Sequence, residues 1–304
     1  NTDTSLYCNT PTYTWNISCT NTNCSGSNCN NGYAYINGTN QNSKNPIIKF
    51  TQAGIYDITL TVNNGCGNNT SAPQQITVKD KPTATYTVDN PVCANTSVCP
   101  STPNVTNCYG TTALTYSWTT TMGSFPTSSS ASPGCVIAAN SGNQTVALAV
   151  TNECGTTTVT KTIVVNPLPN PIISGNNNIC NSQSAIYSTP SVANNTYNWS
   201  VTGGSITSGS GTNSITINWN TAGNQTITLT QYSNANCSKT VTYIVNVNPK
   251  PVINNITTPI CSGQLFTVNP ANGTNGTVPA GTTYSWSAPS VTGGLTGGTS
   301  GSNT

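Results

Sequence analysis

Four Tyr-x-Trp triplets punctuate the chain, at Tyr13-Thr14-Trp15, Tyr116-Ser117-Trp118, Tyr197-Asn198-Trp199 and Tyr284-Ser285-Trp286. Three are followed by a second repeated block: Ala53-Gly54-Ile55-Tyr56-Asp57-Ile58-Thr59-Leu60-Thr61-Val62, then Ser141-Gly142-Asn143-Gln144-Thr145-Val146-Ala147-Leu148-Ala149-Val150, then Ala222-Gly223-Asn224-Gln225-Thr226-Ile227-Thr228-Leu229-Thr230. Each block turns at a cysteine (Cys66, Cys154, Cys237), runs through one more alternating segment and leaves through proline: Val78 to Pro82, Val165 to Pro167, Val247 to Pro249. The exits recur about every 85 residues, too long for a solenoid repeat and the right size for one β-sandwich.

Four domains follow from this register: 1–81, 82–168, 169–250 and 251–304. Pro91-Val92-Cys93, Asn178-Ile179-Cys180 and Pro259-Ile260-Cys261 open the last three at matching distances before their Tyr-x-Trp. The first and last domains are expected to be truncated, within an internal window of a longer protein.

The residues between the landmarks are strand formers. In the third unit Ile172 and Ile173 come first, and Ala185-Ile186-Tyr187 ends a second strand. Tyr197 and Trp199 then share one face, as do Ile215, Ile217 and Trp219, then Ile227 and Leu229, then Val241, Tyr243, Val245 and Val247. Thr and Asn fill the alternate positions, the pattern of strands with one face buried and one in water. Gly203-Gly204 and Ser208–Gly211 read as turns. About seven strands result, and the fold class is all-β: tandem Ig-like sandwiches, end to end and disulfide-stapled. Tyr13, Trp15, Tyr116, Trp118, Tyr197, Trp199, Tyr284 and Trp286 are assigned to the cores; Trp219 has no counterpart in the other units.

Charged residues make up only 4 % of the chain, with seven Lys and no His, where about 25 % is usual. No apolar run reaches the roughly 20 residues of a spanning helix, so Asn, Thr, Ser and Gln must carry solubility. Such a surface cannot steer polyanions, which argues against nucleic acid as a partner. Without His no Ser–His or Cys–His nucleophile can be built. The acids Asp3, Asp57, Asp80, Asp89 and Glu153 are too sparse for a glycosidase pair. Asp80 and Asp89 flank the first junction but are too few for a calcium-stiffened linker. No catalytic residue, cofactor or metal site is expected. The N-x-S/T triplets are as frequent as chance gives in so Asn- and Thr-rich a chain.

Thirteen Cys in small β-units point to an oxidising compartment. Cys19, Cys24 and Cys29 lack zinc-knuckle spacing and read better as cystines. Cys180 and Cys237 are the only cysteines of the third unit, so they are expected to pair, and by the same register Cys93 with Cys154. Each pair would close a loop of about 60 residues, valued at about 4 kcal/mol by chain entropy. Cys66 and Cys261 are left for partners outside the window. Cys8, Cys19, Cys24, Cys29, Cys99, Cys108 and Cys135 receive no assignment.

With Tyr-x-Trp and the later A-G-x-Y-x-I-T-L-T-V-x-N-x-C-G block, the units resemble PKD-like domains, the Ig-like modules of bacterial surface proteins. The acidic segment that usually follows the Trp in that family is absent: Trp15 precedes Asn16-Ile17-Ser18, and Trp199 precedes Ser200-Val201-Thr202. Any role of those acids is not carried over. Cysteine-bearing, Asn/Thr-rich arrays joined by V-N-P-x-P also resemble the giant adhesins of Bacteroidota, including SprB-type gliding adhesins exported by type IX secretion. The resemblance implies stalk repeats of an extracellular, cell-surface filament. Its partners would be the other domains of the same chain, surface glycans, or outer-membrane export and anchoring machinery. The rival expectations are a polysaccharide-binding module gripping sugars with residues such as Trp219, and accessory domains of a secreted hydrolase.

Overall fold

The computed structural model describes residues 10–19, 29–261, 263–264, 266–288, 290 and 299–303. All regular structure among them is β, in two compact units, 1–167 and 168–304.

The first unit opens with β1 (Thr12–Cys19), β2 (Tyr33–Ile36), β3 (Ile47–Phe50), β4 (Gly54–Asn63), β5 (Asn68–Thr70) and β6 (Gln74–Val78). β4 is the centre of one sheet, pairing with β1, β5 and β6, while β2 and β3 form a separate hairpin. Inward residues of both meet in one cluster: Ile17, Tyr56 and Ile58, with Trp15, Tyr33, Tyr35 and Phe50 packed against them. The Phe50 and Tyr56 rings lie 4.7 Å apart.

The second sandwich follows with β7 (Thr83–Thr85), β8 (Val92–Cys93), β9 (Ser97–Val98), β10 (Asn104–Thr106), β11 (Thr115–Thr120), β12 (Val136–Ile137), β13 (Gly142–Asn152) and β14 (Gly155–Asn166). β8, β14, β13 and β11 make the main sheet; β7 pairs with β10 and β9 with β12. Trp118 is buried against Tyr86 and Phe125, ring centroids 4.9 and 6.0 Å away.

In the second unit β15 (Ser174–Gly175), β16 (Asn178–Cys180), β17 (Ser184–Ser188), β18 (Thr196–Val201), β19 (Gly204–Ser208), β20 (Ser214–Trp219), β21 (Gly223–Tyr232) and β22 (Ser238–Asn248) form two four-stranded sheets. Their orders are β15-β17-β20-β19 and β16-β22-β21-β18. Tyr187, Ile215, Ile217 and Trp219 from the first sheet interlock with Tyr197, Trp199, Ile227, Leu229, Val245 and Val247 from the second. This is the packed interior of a two-sheet sandwich. Beyond it lie only short pairs among the described residues: β23 (Val252–Ile253) with β24 (Gly276–Thr277), and β25 (Tyr284–Trp286) with β26 (Gly301–Asn303).

The third sandwich therefore has eight strands where the sequence suggested about seven. Three of the eight were not named from the sequence: β15, which starts just after Ile172 and Ile173, β19, which lies between the two expected turns, and β16, whose Ile179 is buried while Asn178 and Cys180 face out. Ile172 stands outside any strand and is 59 % exposed.

Candidate functional site

The long hairpin strands give each sandwich two distinguishable poles. β14 and β22 begin at a hairpin turn and end at the exit, 12 and 11 residues later. The opening strands β8 and β16 run parallel to them at the exit end, Cys93 opposite Asn166 and Cys180 opposite Asn248. Cys154 lies in the β13–β14 turn, where Asn152 faces Gly155, and Cys237 lies just before Ser238.

This register overturns the expected pairs Cys93–Cys154 and Cys180–Cys237. An 11-residue strand separates the poles by about 35 Å at 3.3 Å per residue, and a disulfide needs Cα atoms within about 7 Å. Cys154 and Cys180 are free thiols, Cys180 exposed. The bonds found are Cys19–Cys29 and Cys99–Cys135. Cys66, Cys93, Cys108 and Cys237 also lie in disulfides, so Cys66 has its partner within this chain. Cys261 is free and exposed. Cys8 and Cys24 lie outside the described residues.

At the hairpin pole of the second sandwich the turn holds the incoming linker. The Glu153 carboxylate accepts from the Thr111 amide at 2.8 Å, from both the Thr111 and Thr112 hydroxyls, and from Lys79 Nζ at 2.9 Å. Beside it Asn152 Nδ2 donates to the Asp80 carbonyl at 2.7 Å and to Asn107 Oδ1 at 2.9 Å, and the Asp80 amide donates to the Cys108 carbonyl. The Thr111 amide first, then the Thr112 hydroxyl and Lys79, stabilise the charged carboxylate and hold its pKa far below the ordinary 4.5. In the third sandwich Lys239, just past the corresponding hairpin, donates from Nζ to Asn170 Oδ1 at 3.2 Å. The arrangement can fix a joint, and it presents no nucleophile beside a base.

The Tyr-x-Trp positions differ from copy to copy. Trp118, Trp199 and Tyr197 are buried, whereas Tyr13, Trp15, Tyr116 and Tyr284 are half-buried. Trp286 is 50 % exposed, against its assignment to a core, because among the described residues only Gly301–Asn303 pairs with its strand and no facing sheet covers it. The first three Trp share a contact that the sequence pattern did not suggest. Each indole N–H donates to a loop carbonyl: Trp15 to Ser43 at 3.0 Å, Trp118 to Ser130 at 3.0 Å, and Trp199 to Thr212 at 2.8 Å. Trp219 is completely buried, edge-on to Tyr187 at 6.0 Å, so it cannot grip a sugar. The signal for this was present in its alternation with Ile215 and Ile217.

Beside Cys180 the exit pole of the third sandwich carries an open cleft of about 530 Å³, its walls formed by Asn176, Asn178, Gln183 and Asn248. Its polar groups are these amides, the Ser184 hydroxyl and the Cys180 thiol, with no carboxylate or basic side chain in the lining.

Residues 166–247 match the PKD-like domain family, which takes in the third sandwich with its incoming linker. No curated protein matches the chain significantly. Among solved structures, three N-terminal domains of the bacteriophage RB49 outer capsid protein Hoc align over 82 % of this chain and 90 % of theirs, at 11 % identity and TM-score 0.37. Human CDH23 EC21-23 aligns over 78 % and 88 % at 13 % identity and TM-score 0.37. The titin I-band fragment I67-I69 aligns over 79 % and 88 % at 13 % identity and TM-score 0.33. Likeness at this level says nothing of ligand or activity. The chain is an all-β tandem of Ig-like sandwiches, of which the third is similar to the PKD-like domain.

Proposed function

We propose that the chain serves as spacer repeats of an extracellular protein, a stalk within a cell-surface adhesin filament that acts in attachment and gliding. The observation that carries this reading is the joint at Glu153. The hairpin turn of the second sandwich ties its own 107–112 loop to the four-residue linker that enters it: Glu153 binds Thr111 and Thr112 together with Lys79, and Asn152 binds Asn107 together with Asp80. A fixed joint transmits position and load from one sandwich to the next. The cystines support an oxidising compartment, since cytosolic reductants keep thiols free. Export and anchoring machinery of an outer membrane, and surface glycans bound by other parts of the same protein, would be its partners.

The test is made on cells that produce the protein. Antibody against residues 169–250 should label intact cells. Excising one repeat in frame should leave export unchanged while shortening the labelled distance from the cell surface by roughly 35 Å, the length of one sandwich. Labelling confined to the cell interior, or a hydrolase activity lost with these repeats, defeats the reading.

A further inference from the structure

We propose that Cys180 is one half of a disulfide that ties the exit pole of the third sandwich to a neighbouring sandwich. The partner is a cysteine in that sandwich's long hairpin turn, the position held here by Cys154 and Cys237. The proposal deepens the spacer reading and rests on it: spacers stacked pole to pole can be joined covalently as well as by hydrogen bonds.

Three observations converge. The exit pole and the hairpin pole of one sandwich are separated by the full length of β22, so a cysteine at either pole has no partner at the other. The same two positions nevertheless form cystines elsewhere in this chain. Cys93, which faces Asn166 as Cys180 faces Asn248, lies in a disulfide, and so does Cys237 in the hairpin position. The partner of Cys93 is not its own hairpin cysteine, since Cys154 is free, nor Cys99 or Cys135, which bond each other. Finally, the Cys180 thiol is exposed and lies in the wall of the open cleft at that pole, where a second chain segment can reach it.

The chemistry balances by exchange. The Cys180 thiolate attacks one sulfur of a disulfide supplied by an oxidoreductase or by oxidised glutathione, and the other sulfur leaves as a thiolate. The hairpin thiolate then attacks the mixed disulfide at the Cys180 sulfur and releases the second carrier thiol. Two protein thiols are oxidised, one carrier disulfide is reduced, and the two protons go to the carrier.

The experiment is disulfide mapping of the full-length exported protein, alkylated with iodoacetamide before any reduction. A cross-linked peptide joining Cys180 to a hairpin-turn cysteine is the expected result, with alkylation of Cys180 only after reduction. Replacement by Cys180→Ser should then leave that hairpin cysteine alkylated in the unreduced protein, and because the thiol is exposed the sandwich itself should stay folded, as amide exchange in β21 and β22 would report. Cys180 fully alkylated without reduction overturns the proposal, and so does Cys180 bonded to glutathione or to any cysteine outside a hairpin turn. Either of those results leaves the spacer reading standing, since that falls on cell labelling and reach instead.

Discussion

Gly54 shows how closely single residues are specified here. It opens β4 opposite Val78, and a Cβ placed on it would lie 2.9 Å from Cys29 Sγ and 3.2 Å from Cys19 Sγ. The obstacle is a cystine rather than the free end of a long side chain, so it cannot swing away. Gly54→Ala should destabilise the first sandwich by about 1–3 kcal/mol, the usual cost of overpacking, read as a lower denaturation midpoint for the first unit with the second unchanged. Tyr86 is specified by its hydroxyl. Its ring packs on Trp118 and its O–H donates to the Val146 carbonyl at 2.6 Å. Tyr86→Phe should cost about 1 kcal/mol, a net hydrogen bond's worth. Burial pushes the Tyr86 pKa up to about 12, partly opposed by a backbone hydrogen bond from Lys161. The neutral phenol is thus favoured in the folded state, and its contribution is complete below pH 10. It is lost as pH rises from about 10 toward 12, where the unfolded chain ionises first. Alkaline unfolding of the second sandwich should shift to higher pH in Tyr86→Phe, relative to the variant's own neutral-pH stability. An unchanged alkaline slope would show that Tyr86 ionisation does not drive the transition.

Strands were legible where they alternate. β18, β20 and β21 bury Tyr197 and Trp199, Ile215, Ile217 and Trp219, and Ile227 and Leu229, as their patterns require. β19 was not, because Gly204-Ser205-Ile206-Thr207-Ser208 carries one apolar residue between two turn signals, and its strand state comes from pairing with β20. The cysteine pairing failed for a related reason. A count of cysteines per unit contains no information about strand direction, and only the parallel pairing of β16 with β22 shows that Cys180 sits at the far end from Cys237. Glu153 was counted among sparse acids; its role depends on Thr111, Thr112 and Lys79, which lie 41 to 74 positions away in sequence. That role makes a prediction at the level of the hairpin. Glu153→Ala should speed amide exchange at Thr111, Thr112 and the linker while β13 and β14 keep their protection. In the native protein the same loosening should set in as pH falls below about 4.5, because the depressed folded-state pKa makes the clamp's contribution present above the unfolded value and lost below it. Lys79 is the one charged side chain, among the described residues, bonded to the carboxylate. Exchange at Thr111 and Thr112 that is equally slow in the variant would remove the clamp.

For the whole molecule the question is what replaces the charge that the chain lacks. Tandem extracellular sandwiches can be stiffened by metal at their junctions or by covalent bonds, and the two respond to different reagents. The carboxylates here are few, and three of the five are engaged: Asp57 accepts from the Gln75 amide, Asp80 from the amide of Lys81, and Glu153 from its ring of donors. Among the described residues no three of His, Cys, Asp or Glu stand together as calcium's oxygen-rich shell would ask. Cystines are the alternative. Cys99–Cys135 spans 36 positions, and the chain-entropy model values it at about 4 kcal/mol; Cys19–Cys29, spanning 10, is worth about 3 kcal/mol. EDTA should therefore leave the thermal midpoints of both units within error. Dithiothreitol should lower the first unit's transition by an amount that the Cys99→Ala/Cys135→Ala double variant reproduces in part without reductant. The third sandwich, whose core cluster contains only aliphatic and aromatic side chains, should keep a cooperative transition under the same reduction. A first unit that melts early in EDTA and is indifferent to dithiothreitol would mean that metal, and not cystine, holds these sandwiches.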